Sequence, residues 1–96
     1  MDKQEADEVL VMELSKYRIK RYEELARLVG SIDSFARQGP SGAEYQLEIE
    51  VRWDQPRSAQ GNLRVIASID DGGFTTAFAP ITKSFIKSPS GDFVGE

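Results

Sequence analysis

From Glu5 to Val29 the apolar positions recur at helical spacing. Leu10, Leu14, Tyr17, Leu25 and Leu28 share one side at 3.6 residues per turn, and Val11, Tyr22 and Val29 widen that stripe. The segment holds no proline, and its first glycine is Gly30. Asp2, Glu5, Asp7 and Glu8 gather where the helix dipole favours negative charge, and Glu23 with Arg27 adds an i,i+4 pair in the favourable order. Ile32 and Phe35 continue the stripe beyond Gly30, so the helix is expected to run on, with a bend, to about residue 37. The alternative is a left-handed cap at Gly30 and a short second helix from Ile32 to Arg37. Gly39-Pro40-Ser41-Gly42 stops the helix in either case.

At Glu44 the period changes to two. Tyr45, Leu47, Ile49, Val51 and Trp53 alternate with Gln46, Glu48, Glu50 and Arg52 without a break, the pattern of a half-buried antiparallel strand. After a polar loop with Pro56 and Gly61, Leu63, Val65, Ala67 and Ile69 repeat the pattern, while Arg64, Ile66 and Ser68 point the other way. Asp70-Asp71-Gly72-Gly73 carries the chemistry of a tight hairpin, which predicts a third strand over 74–79. Pro80 would put that strand at an edge or a bulge. Thr82 to Lys87 and Asp92 to Val94 flank Ser88-Pro89-Ser90-Gly91, which suits a type I turn with proline second; they form either a terminal hairpin or a last strand with a tail.

These elements make an α+β fold. A long N-terminal amphipathic helix, about residues 5–37, packs on one face of a three- to four-stranded antiparallel β-meander over about residues 44–95. Ninety-six residues are read as a single domain, 1–96. The element order resembles a cystatin-like roll, in order alone. The Gln-x-Val-x-Gly loop of inhibitory cystatins is absent, so no cystatin function carries over.

Composition narrows the chemistry. The chain has no cysteine and no histidine, which removes thiol and imidazole nucleophiles, imidazole bases and thiolate metal sites. Its net charge of −4 opposes binding to nucleic acid and to anionic lipid. The acidic start, Met1-Asp2-Lys3-Gln4-Glu5, has no apolar signal core, and Val9 to Met12 is too short to span a bilayer. A cytoplasmic protein without cofactor or metal is the expectation, and the missing residue types weigh against an enzyme without deciding it.

Four groups of residues could carry function. In Lys16-Tyr17-Arg18-Ile19-Lys20-Arg21-Tyr22 the bases do not share a helical side, because Lys16 and Lys20 face outward while Arg18 and Arg21 fall in the stripe. A solvated, salt-bridged face explains it better than a nucleic-acid surface. Asp70-Asp71 lacks the ligand spacing of a calcium loop, and turn chemistry accounts for it. Glu48 and Glu50 are two apart, as a catalytic pair could be, but an exposed strand face is the ordinary home of such residues. Finally, Arg18, Arg21, Tyr22, Trp53 and Phe78 could surround a ligand at the mouth between helix and sheet, with core filling as the plainer role of the aromatics.

The leading expectation is a non-catalytic interaction or regulatory domain that binds itself, as a homodimer, or another protein. The alternative is a small-molecule-binding domain or minor enzyme using that mouth. Self-association is expected because one helix covers roughly two strands of a sheet with three or four.

Overall fold

A computed structural model of the protein describes residues 1–55, 60–72 and 80–96. The chain folds as α1 (Lys3–Arg18), α2 (Tyr22–Arg27), β1 (Ile32–Gln38), β2 (Glu44–Trp53), β3 (Leu63–Asp70) and β4 (Ile81–Lys87). The four strands form one antiparallel sheet in the order β1-β2-β3-β4. The α+β class and the meander agree with the sequence pattern.

The uninterrupted alternation sets which face is buried. Tyr45, Leu47, Ile49 and Val51 of β2 and Leu63, Val65, Ala67 and Ile69 of β3 are all buried, while Glu48 is exposed and Glu50 and Arg64 are half-buried. Register keeps the apolar groups opposite one another: Leu47 faces Ile69, Ile49 faces Ala67, and Val51 faces Val65, which in turn faces Phe85 of β4. A slip of one residue would send every one of these side chains to the other face. Ala6, Leu10 and Leu14 of α1 and Leu25 of α2 close the same core from above. Asp2 caps α1, its carboxylate accepting the Glu5 N–H at 3.1 Å.

Two expectations need correction. The helix does not continue to residue 37; α1 ends at Arg18, the chain turns through Ile19 to Arg21, and α2 restarts the helix for six residues. Beyond Gly30, the segment expected to be helical is strand β1. Gly30 has φ of +88°, and its N–H donates to the Val51 carbonyl at 3.1 Å. That left-handed residue lays the chain on the margin of β2, and pairing from Ile32↔Glu50 to Gln38↔Glu44 follows.

The connection after β3 also differs from the expected tight hairpin. β3 pairs with Ile81–Lys87, in register from Ile69↔Ile81 to Leu63↔Lys87, so Asp71-Gly72 is not a two-residue hairpin between paired strands. Gly72 does take φ of +73°, and its N–H donates to the Asp70 carboxylate at 2.7 Å. The strand expected over 74–79 lies outside the described residues. At the C-terminus both alternatives are realised in part. After strand β4, the Gly91 N–H donates to the Ser88 carbonyl to close the turn, and Phe93 bridges back to Lys87.

The helix sits off-centre. α1 lies chiefly over β3 and β4 and touches β2 less, so the inner side of β1 is left near the margin. That asymmetry positions the candidate site.

Candidate functional site

Four of the five residues expected at a ligand mouth lie among the described residues, and each has its own contact there. Arg18 turns its guanidinium to the C-terminal tail, 4.2 Å from the centre of the Phe93 ring and 5.2 Å from that of Phe85, and pairs with Glu96. Phe85 and Phe93 meet edge to face at 5.6 Å. Arg21 precedes α2 and pairs with Glu24 at 3.2 Å on the surface, and that bond holds the Glu24 carboxyl below its ordinary range. The Tyr22 hydroxyl donates to the Gly61 carbonyl at 2.8 Å, and burial raises its pKa. Trp53 ends β2 opposite Leu63, half-buried against the core. Phe78 is outside the described residues. Arg18 and Arg21 therefore serve separate surface contacts.

Buried polar clusters that the sequence pattern does not mark surround Lys87, Glu5 and, on the flank described below, Glu13. Lys87 is 7% exposed, and its ammonium donates to the carbonyls of Arg18 at 3.1 Å and Lys20 at 2.6 Å. It fills the role of a helix C-cap from a distant strand, where positive charge also meets the negative end of the α1 dipole.

The second cluster is centred on Glu5. One carboxylate oxygen accepts from the Tyr45 hydroxyl at 2.6 Å and the Ser41 hydroxyl at 2.7 Å, and the other accepts the Ser41 N–H at 2.8 Å. Gly39 packs so near that an added methyl group would lie 2.7 Å from the Glu5 carboxyl carbon. Glu5 thus ties the β1–β2 hairpin to the first turn of α1. The Tyr45 hydrogen bond, with those from Ser41, holds the Glu5 carboxyl below its ordinary value of 4.5. The same bond, then burial and the Glu5 charge, push the Tyr45 hydroxyl up to about 12.

Both shifts have a stability consequence of defined sign. Glu5 binds its proton less readily in the folded chain than in the unfolded one. Its contribution is complete above pH 4.5 and is lost as pH falls through the lower folded value. Glu5→Gln is expected to be less stable at neutral pH and to show a shallower loss toward acid. Denaturant midpoints between pH 7 and 3 measure this, and parallel acid limbs for the two proteins would show that Glu5 is not the group responsible.

An open flank lies between α1 and β1. Among the described residues, side-chain pairs bridge it. Glu13, 5% exposed, receives Arg37 Nε at 2.9 Å and Lys16 Nζ at 2.9 Å, while the Tyr17 hydroxyl donates to Asp33 at 3.2 Å. Burial, then that bond to Asp33, raises the Tyr17 pKa. Two depressions lie on either side of Phe35. One, of about 400 Å³, lies between Val9, Met12 and Glu13 of α1 and the stretch from Arg37 to Pro40. The other, of about 270 Å³, lies among Tyr17, Leu28, Ile32, Asp33, Ile49 and Val51. The Arg37 guanidinium stacks 4.5 Å from the centre of the half-buried Phe35 ring.

Beside these depressions runs the edge of β1. The Gly39 N–H donates to the Ala43 carbonyl at 2.8 Å, which marks residues 39 and 43 as a hydrogen-bonded pair. Alternation along an antiparallel ladder then turns the backbone groups of Asp33, Phe35 and Arg37 toward β2. The N–H and C=O groups of Ile32, Ser34, Ala36 and Gln38 face out, and Arg37 Nη1 covers the Ala36 carbonyl at 2.9 Å. Every residue of β1 except Phe35 is exposed.

Sequence reasoning missed this edge because Ile32 and Phe35 fitted a helical stripe. The available signal is Gly30, whose freedom to turn left-handed can end a helix and start a strand. Among the described residues, no three acidic side chains converge to hold a metal ion, and no helix is long and apolar enough to cross a membrane. Comparisons of the chain with protein-family models, with curated proteins and with solved structures find no match.

Proposed function

We propose that the chain is a non-catalytic interaction domain that self-associates through the flank formed by β1 and the adjoining side of α1. The observation that supports this reading most is the seven-residue strand β1 at the end of the sheet, its outer edge unpaired among the described residues, beside two part-apolar depressions that the lateral placement of α1 leaves open. An exposed sheet edge is a ready template for another strand, so proteins cover such edges or use them. Met12 is 66% exposed beside the larger depression and Ile32 61% exposed beside the smaller, which adds apolar surface to the same flank.

The alternative, a small-molecule site at the mouth between helix and sheet, has no comparable support. Arg18 and Arg21, the groups expected to fix an anionic ligand there, are each engaged by a carboxylate.

Sedimentation equilibrium across a wide concentration range tests the proposal. The expected result is a weight-average mass that rises from the 10.7 kDa of one chain toward twice that value. A mass of one chain at high micromolar protein would overturn self-association.

A further inference from the structure

We infer that the partner at this flank is a second copy held edge to edge, with β1 paired antiparallel to itself about a two-fold axis at Phe35. This inference rests on the self-association proposed above and adds the surface, the register and the groups that choose it.

The backbone admits few registers. The outward-facing groups belong to the even-numbered residues 32, 34, 36 and 38, so only registers that set even residues opposite even ones form a hydrogen-bonded ladder. Centring the axis on Phe35 uses the whole strand. Ser34 then pairs with Ala36 of the other copy, and Ile32 pairs with Gln38.

Charge selects this register over its neighbours. With Phe35 opposite Phe35, Asp33 of each copy stands opposite Arg37 of the other, on the inner face and in both directions. These are non-hydrogen-bonded positions, where facing Cα atoms lie about 4.5 Å apart and side chains interact most closely. Moving the axis by one residue sets Phe35 against Asp33 or against Arg37 and loses both ion pairs. Inward-pointing charges usually protect an edge from other strands. Here their spacing makes the edge repel most strands and accept its own two-fold image.

The contacts within one copy suit the exchange. Asp33 and Arg37 are both exposed on the free chain. Arg37 keeps Glu13 through Nε, while its Nη1 rests on the Ala36 carbonyl. In the pair, that carbonyl accepts the Ser34 N–H of the other copy, and the freed guanidinium nitrogen meets the facing Asp33.

Charge reversal in the full chain supplies the test. Asp33→Arg leaves only bases at the two positions, and Arg37→Asp leaves only acids. Each variant alone is expected to self-associate about tenfold to a hundredfold more weakly than wild type, because two attractions become two repulsions. An equimolar mixture is expected to recover most of that loss, since every facing pair is then of opposite charge. Circular dichroism establishes that each variant is folded.

Ser34→Pro provides a check that leaves charge untouched. It removes an outward N–H that the β1–β2 ladder does not use, so the fold persists while pairing weakens at least about tenfold. Phe35→Cys, in a chain without other cysteine, is expected to form a disulfide-linked dimer in air-saturated buffer, where dissolved oxygen takes up the two electrons and two protons of the paired thiols. Wild-type dimers that survive Ser34→Pro, or a mixture no tighter than its components, would overturn the edge and leave self-association standing. A wild-type chain that stays single at every concentration would overturn both.

Discussion

Leu25→Ala is expected to lower the unfolding free energy by about 2–5 kcal/mol, the cost of deleting a buried leucine side chain where the surroundings close only partly. Leu25 is fully buried and is the only buried residue of α2. A helix of six residues is far too short to persist on its own propensity, so its docking on the core is what keeps it helical. A domain of this length has a total stability of roughly 5–15 kcal/mol, and the substitution removes a large part of that. Leu10→Ala, at an equally buried position in the middle of α1, is expected to cost a similar amount. Met12→Ala should stay within about 0.5 kcal/mol of wild type, because Met12 projects from the exposed side. Urea denaturation with an unchanged dependence on denaturant concentration separates these effects from changes in the unfolded state. An unaltered midpoint for Leu25→Ala would show that α2 is not held by the core.

The residues that were easy to read share one property: their neighbours in sequence already specify their surroundings. Tyr45 to Trp53 and Leu63 to Ile69 alternate because each strand has one face against the core, and that pattern sets the face each side chain takes. β1 offers no such signal. It is an edge strand under the margin of α1, so Asp33 and Arg37 occupy the inner face and Ile32 the outer one. What remains, Ile32 and Phe35 three apart, fits a helix as readily as a strand.

The break after Arg18 was hidden for another reason. No glycine or proline interrupts residues 18–22, and the donors that satisfy the interrupted carbonyls come from Lys87, on the last strand. Once the helix is broken there, the phase that placed Arg21 in the apolar stripe no longer applies. It lies exposed ahead of α2, while Arg18 keeps its place and reaches the tail. The open flank is thus a tertiary consequence. It depends on Gly30 turning left-handed and on Lys87 closing α1 early, and neither follows from the local pattern.

Lys87→Met is the sharpest test of that account, with an expected loss of about 2–4 kcal/mol. Methionine keeps much of the aliphatic stem between β4 and the core, so packing changes little. The ammonium is what disappears, and with it two charge-assisted hydrogen bonds to the carbonyls of Arg18 and Lys20. A carbonyl deprived of its partner away from free water costs about 1–3 kcal/mol. Because both bonds are part-buried, water repairs some of the loss, and the sum falls below the extreme. Lys3→Met makes the same change in net charge on an exposed residue and should stay within about 0.5 kcal/mol of wild type. Amide exchange gives the local readout. Protection should fall in the last turn of α1 and in α2, with the β2–β3 ladder least affected, because Lys87 holds the joint between the helices and not the sheet. A Lys87→Met variant as stable as Lys3→Met would mean that the joint closes without its cap, and the end of α1 would then need another cause.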